Sequence, residues 1–282
     1  MDSQQLTATV DEAIDSGLDW VNSVGGPAFE ALRSVLDGLY NAVAQLLLAP
    51  PFVVVAVLTA VIGWRAVSLR FGILAALGLT ACAFMGLWPE TMATLALVMT
   101  ATALALLIAI PLGILAGLRP RLNRSLQPIL DLVQTLPPYI YLLPAIALMG
   151  FGPATALAAT VIVAIPPALR LTAHGVGLTP VNFLELGTAT GSSPGQTFVK
   201  IRLPFAMPSI MTGVNQCLMM AFGMVVIAGI VGSGGLGAAI YDAVRTLDIG
   251  KSIDAGIAIV ILTMILDRIT EGAVKDSRGG VQ

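Results

Sequence analysis

Seven apolar runs, at about 51–67, 71–88, 91–118, 127–150, 154–173, 205–231 and 252–270, take up most of the chain. A helix needs about 20 such residues to cross the hydrocarbon core of a bilayer. Lipid offers no hydrogen-bond partners, so a spanning segment must satisfy its own backbone, and a helix does this within one segment. The runs therefore predict an all-α polytopic bundle of six or seven transmembrane helices. The uncertainty in number comes from the first two runs, which are short and are separated by Arg65 and Arg70. Composition agrees. Charged residues make up 11% of the 282, where a soluble domain carries about 25%, and the mean hydropathy is +0.92.

Residues 1–48 differ. Acids at Asp2, Asp11, Glu12, Asp15, Asp19, Glu30 and Asp37 interrupt apolar residues that recur at helical spacing. An interfacial, extracytoplasmic pair of short helices is expected, broken at Gly25-Gly26-Pro27. The acidic start argues against a signal peptide. The remaining divisions are two peripheral helices at 49–89, a transmembrane core at 90–272 holding a loop at 175–204, and a cytoplasmic tail at 273–282.

Basic residues orient the bundle, because loops rich in Lys and Arg stay on the cytoplasmic side. With the N-terminus outside and the C-terminus inside, all of the 14 Lys and Arg except Arg33, Arg245 and Lys251 fall inside. The expected location is a bacterial inner membrane, with lipid as the surrounding partner.

Several function classes are disfavoured. No basic block suggests nucleic-acid binding. His174 stands alone as the one histidine, and Cys82 and Cys217 sit singly in apolar runs, so neither a metal site nor a catalytic cluster is expected. An ion-coupled transporter of a small amine or amino acid is the alternative reading. It calls for carboxylates at mid-membrane, whereas Asp131, Asp267 and Arg268 fall near the inner boundary.

The inside loop has its own organisation. Thr179-Pro180 signals a helix start, and Ser193 is a plausible N-cap with Pro194 in the first helical position. Glu185 precedes Gly191 by six residues, and Ile201, Leu203 and Pro204 follow. This pattern resembles the cytoplasmic loop of permeases of ATP-binding-cassette importers, written E-A-A, three residues, G, nine residues, I-x-L-P. The chain departs at Glu185-Leu186-Gly187, and small residues return at Thr188, Ala189 and Thr190 before Gly191, Ser192 and Ser193. The runs QTLPPYIYLLP (134–144), IPPALRLT (165–172), 203–237 and ILDRIT (265–270) are similar to permeases that take up glycine betaine, proline betaine and related quaternary amines.

The resemblance implies a permease of the type I importer fold. It implies two cytoplasmic ATPase subunits that bind ATP and magnesium, an extracytoplasmic binding protein, and a second permease copy. No phosphate-binding GxxxxGK[ST] loop occurs here, so ATP hydrolysis is expected on a separate chain. On this reading the loop around 185–194 couples ATPase motion to the spans. Pro137, Tyr139, Tyr141, Asn215, Gln216 and Met219 are candidates for the path or its gate, although packing explains each as well. A tyrosine ring attracts quaternary ammonium by about 0.5–2 kcal/mol. The glycine-rich run from Gly232, with Gly234, Gly235, Asp242 and Arg245, is expected as an outer loop or re-entrant turn where the binding protein docks.

Overall fold

A computed structural model describes residues 3–279, with side chains described for residues 12, 16, 17 and 19–272. Asp2 lies outside the described residues, as do the side chains of Asp11, Asp15 and the expected tail at 273–282. Among the described residues the fold is helical throughout, and its centre is a trio: α4 (Trp88–Leu118), α7 (Pro153–Gly177) and α10 (Leu203–Ala228). The trio packs closely because small residues lie on the contact lines. A methyl group built on Gly113 of α4 would stand 2.8 Å from the Leu169 carbonyl oxygen of α7. One on Gly213 of α10 would stand 3.2 Å from Ala168 Cα. Ala96, Ala101, Ala105, Ala109, Ala164, Ala168 and Ala221 fill the rest of this interior.

Around the trio, α2 (Phe52–Ala66) and α3 (Leu69–Phe84) form a hairpin against α12 (Ile249–Gly279). These two have only 15 and 16 residues. About 22–24 Å of helix is less than the hydrocarbon thickness. Four stretches are long and apolar enough to span: α4, α7, α12 and the helical run Pro194–Val231. Two more spans arise if each bent pair counts as one, giving up to six.

One bent pair falls on the span expected at 127–150. There α5 (Pro120–Thr135) meets α6 (Leu142–Met149) at 104°, through a 3-10 turn over Pro138–Tyr141. Pro137 and Pro138 cause the break, since neither has an N–H to continue the ladder. The second bent pair joins the later part of α1 (Ser3–Leu48) to α2 at 96°.

The break expected at Gly25-Gly26-Pro27 is absent, and α1 runs on through Pro27. A residue before proline is pushed from helical geometry chiefly by its Cβ and N–H, and Gly26 has no Cβ. The C-terminal half of α1 is also no free surface helix. Leu36, Tyr40 and Ala44 are buried against α4, α6 and α7.

Contacts sort the connections into two ends. At one end Gly272 abuts the Ala66 carbonyl, and Arg202 Nη1 donates to the Val176 carbonyl at 3.3 Å. At the other, Gly152 N–H donates to Val231 O at 2.9 Å, and Leu236 N–H to Thr94 Oγ1 at 2.8 Å. The second end also holds α11 (Gly235–Thr246), where a loop or re-entrant turn was expected.

Candidate functional site

The segment following α7 is a compact helical elbow. Helix α8 (Val181–Ala189) is exposed along its length except at Gly187, which is buried, and Leu184, which is half-buried. A Cβ on Gly187 would stand 3.1 Å from Ile201 Cδ1 and 3.4 Å from Thr197 Oγ1. The departure at Glu185-Leu186-Gly187 thus has a physical reading. Gly187 is the seat on which α8 rests, and Leu186 points away from it, 57% exposed. Phe183 meets Phe205 with ring centroids 5.0 Å apart, fastening the first turn of α8 to the start of α10. The Glu185 carboxylate has no ion pair among the described residues.

Helix α8 ends in a Schellman motif. Gly191, at φ +72°, sits in the left-handed position, its N–H donates to Thr188 O at 3.0 Å, and Ser192 N–H reaches Gly187 O at 2.9 Å. Thr190 Oγ1 donates to Leu186 O at 2.9 Å. The next helix starts two residues later. Ser193 caps α9 (Pro194–Thr197) in a reciprocal box with Gln196, 3.3 Å in one direction and 2.9 Å in the other.

No loop separates α9 from α10. A π-helical turn over Phe198–Arg202 joins them, so Ile201 lies inside a continuous helical run rather than at a loop edge. Pro204 explains the wide turn. Its ring would collide with the carbonyl four residues back in a regular α-helix, and widening the turn moves that carbonyl aside. The sequence pattern suggests Pro204 as the start of the span, but helix already begins at Pro194.

The candidate path residues divide. Gln216 and Met219 share one exposed face of α10 with Thr212, Gly223 and Val226. This face mixes polar, small and apolar side chains, unlike the exposed stripe of α12, which is Ile253, Ile257, Val260 and Met264. Asn215 turns from that face to α12, where its Nδ2 donates to Asp267 Oδ1 at 3.1 Å. Its own Oδ1 is buried without a donor. Tyr141 donates to the Val133 carbonyl at 3.0 Å and so braces the bend between α5 and α6. Pro137 and Tyr139 are exposed at that bend. An Asp131–Arg170 ion pair at 2.5 Å ties α5 to α7.

The glycine-rich run expected as an outer loop or re-entrant turn instead opens a helix, α11. Gly234 is exposed, but Gly235 is buried, with its Cα face 2.6 Å from Thr94 Oγ1 were a methyl added. Gly237 is buried against the Val225 carbonyl. These residues let α11 press onto α4 and α10 and are packing elements. Asp242 and Arg245 remain exposed on α11, 4.0 Å apart, with the guanidinium 5.7 Å from the Tyr241 ring centre. Sequence reading missed α11 because glycines mask its start. Its apolar residues Leu236, Ala239, Ile240, Ala243 and Val244 do recur at helical spacing.

Comparison with known proteins gives one consistent picture. A family model described as binding-protein-dependent transport system inner membrane component matches residues 109–275. The chain is 39% identical over 269 residues to the glycine betaine/proline betaine transport system permease protein ProW of Escherichia coli (strain K12), covering 95% of this chain and 76% of that one. It is 36% identical to the glycine betaine transport system permease protein OpuAB of Bacillus subtilis (strain 168), covering 95% and 96%. Among solved structures, an inward-facing conformation of the MetNI methionine ABC transporter matches 70% of this chain and 96% of that chain. The TM-score is 0.60 at 24% identity, a likeness of fold.

Proposed function

This chain belongs to the family of binding-protein-dependent transport system inner membrane components, and on that premise we propose that it is the permease subunit of an ATP-driven importer for a small quaternary or methylated amine. It is a multi-pass inner-membrane protein whose family works with an ATPase and a substrate-binding protein. The names of its relatives support glycine betaine or proline betaine as the substrate class. ATP and magnesium belong on two separate ATPase subunits, and the permease functions as a pair of copies.

The observation that carries this reading is mechanical. Helix α8 is exposed and offers Glu185 and Leu186 to a partner, yet it is fixed at Gly187, at the Phe183–Phe205 contact and at the Gly191 turn. Each of these attachments leads into the helical run Pro194–Val231, which crosses to the far end of the bundle. A push on α8 therefore reaches the Gln216–Met219 face without a slack loop between. We assign that face to the substrate path, and residues 185–194 with Ile201, Leu203 and Pro204 to ATPase coupling.

The orientation follows from charge. Arg65, Arg70, Arg119, Arg121, Arg124, Lys200 and Arg202 gather at the α8 end, and Arg33, Arg245 and Lys251 lie at the other. The α8 end is cytoplasmic on this assignment, with the N-terminus outside and the C-terminus inside.

The test is uptake of radiolabelled glycine betaine into proteoliposomes holding the permease, its ATPase and its binding protein, with ATP on the ATPase side. Wild type is expected to accumulate substrate only with ATP. In Gly191→Val a β-branched residue is forced into the left-handed region, at about 1–2 kcal/mol, which distorts the elbow. Uptake is expected to fall at least tenfold with the complex still assembled. Uptake that proceeds without any ATPase overturns the proposal in favour of an ion-coupled transporter.

A further inference from the structure

Outside its packed seam at Leu130, helix α5 presents two unlike sides. One carries Ile129 and Leu132, both well exposed. The other carries Asn123, Gln127, Asp131 and Gln134, whose spacing of four, four and three residues aligns them on one stripe. Asn123 and Gln127 are half-buried, and Gln127 Nε2 donates to Asn123 Oδ1 at 3.0 Å. Asp131 and Gln134 are exposed. The apolar side suits acyl chains. A stripe of amides with a carboxylate does not, because ionisable groups at membrane depth face water or protein. The partner of Asp131 fixes the depth. Arg170 stands about 10 Å inside the α8 end of α7, counted from Gly177. Leu130 and Cys217 share one interior cluster, so the stripe lies at the level of the α10 face that carries Gln216 and Met219.

The Asp131–Arg170 pair leaves part of its bonding capacity unused. Arg170 Nη2 donates to Asp131 Oδ1, while Arg170 Nε is buried with no hydrogen-bond partner among the described residues. Nε and Nη2 form one edge of the guanidinium, on which a carboxylate can sit with two parallel bonds. Asp131 engages one of the two. A buried donor left unpaired costs free energy, and such a group in a native fold calls for an explanation. A tie that served stability alone would use both donors. The Asp131 side chain is 61% exposed, so the pair can be reached from the stripe.

A betaine carries a quaternary ammonium and a carboxylate on one small molecule, matching Asp131 and Arg170 in sign. The substrate carboxylate fits the Nε and Nη2 edge, and the Asp131 carboxylate it displaces then faces the ammonium. Each protein charge exchanges one opposite partner for another, so neither is left unpaired, which is the costly outcome at a site withdrawn from water. We infer that Asp131 and Arg170 form a zwitterion site in the substrate path, closed on itself as an ion pair when no substrate is held, with the amides of the α5 stripe lining the approach. The inference rests on the importer reading above and adds α5 to the path assigned to α10.

One arm of the test needs no transport. In the permease–ATPase complex in lipid nanodiscs, with Cys82 and Cys217 changed to alanine, a Gln134→Cys variant is treated with a charged, water-soluble maleimide. The thiol is expected to react. Glycine betaine is expected to slow that reaction about tenfold at ten times its Kd, by mass action. Choline, which has the cation alone, and acetate, which has the anion alone, are expected to slow it far less at the same concentration. Arg170→Lys keeps a cation beside Asp131 but lacks the planar fork, and is expected to abolish the protection at near-wild-type Tm. In the second arm, with binding protein and ATP, Arg170→Lys is expected to lower glycine betaine uptake at least tenfold. The double swap of Asp131→Arg with Arg170→Asp restores a tie between α5 and α7 and is expected to recover the Tm without recovering uptake. Labelling that glycine betaine leaves unchanged, or that choline slows equally, overturns the zwitterion site. So does wild-type uptake in Arg170→Lys, which would make the pair a tie alone. A thiol that reacts only with a lipid-soluble maleimide puts the stripe in the bilayer and also overturns the site. A wild-type complex without ATP-dependent uptake overturns the importer reading, and the labelling arm then decides the site by itself.

Discussion

Beside the turn that leads into α7, the Asp37 carboxylate accepts a hydrogen bond from Ala154 N–H at 2.9 Å and pairs with Arg33 at 3.6 Å. Arg33 in turn donates to the Phe151 carbonyl at 3.2 Å. The first N–H groups of a helix have no partner inside it, and a negative charge there also favours the helix dipole. An α1 residue thus caps α7 from 117 positions away. Asp37→Ala should cost about 1 kcal/mol, as loss of an N-terminal cap does, and lower the Tm of the purified permease by roughly 2–4 °C. Asp37→Asn keeps an accepting oxygen and should recover most of that shift. Equal shifts for the two variants would show that the ion pair, and not the cap, carries the stability. Nothing in the sequence singles out Asp37 from the other acids of its segment, because its partner is reached only through tertiary contact. Ser193 was legible for the opposite reason, since its cap closes within three residues.

At the scale of elements, α8, the Gly191 turn and the widened turn at Phe198–Arg202 form one elbow, held by the Gly187 contact with Ile201 and by the hydrogen bonds of the turn. Its spacing was readable from the positions of Glu185, Gly191, Ile201 and Pro204, because turn and cap chemistry is local. The absence of a loop between α9 and α10 was not readable. Pro204 signals a boundary in a sequence, whereas the fold absorbs it with a π turn. The seat at Gly187 gives a graded test. Gly187→Ala adds one methyl 3.1 Å from the end of the Ile201 side chain, a flexible group that yields. Near-normal uptake is expected. Gly187→Leu cannot be accommodated without lifting α8 from the turn. Its uptake should fall about tenfold, equivalent to roughly 1.4 kcal/mol of coupling, while ATP hydrolysis continues. An unimpaired Gly187→Leu permease would mean that α8 does not transmit force through Ile201. The same contrast of local and distant causes explains α1. Gly25-Gly26-Pro27 reads as a break, but the helix continues, and the contacts that fix its later half to α4, α6 and α7 are not written in its own periodicity.

For the whole molecule, the decisive contrast lies between two exposed faces on helices of similar hydropathy. The α12 stripe of Ile253, Ile257, Val260 and Met264 is uniformly apolar, as a lipid-facing surface should be. The α10 face sets Thr212, Gln216 and Gly223 among Met219 and Val226, which suits water or another protein surface better than acyl chains. Composition alone made both runs spans and could not separate them, since the distinction depends on which side of each helix the trio covers. If two copies pair about a two-fold axis through the path, the same face meets itself, as an isologous interface requires. Cysteines placed at Met219 or Gly223, in a permease whose buried Cys82 and Cys217 are changed to alanine, should then form disulfide-linked dimers on mild oxidation of native membranes. Only side chains whose Cα atoms come within about 7 Å can be joined without backbone movement, so the yield should vary along α10 and change when ATP and binding protein shift the two copies. A cysteine at Ile257 should remain monomeric under the same oxidation. Cross-linking at Ile257 in place of Met219 and Gly223 would put the pairing surface on α12 and leave the α10 face to lipid, and the substrate path would then have to be sought at the bend between α5 and α6.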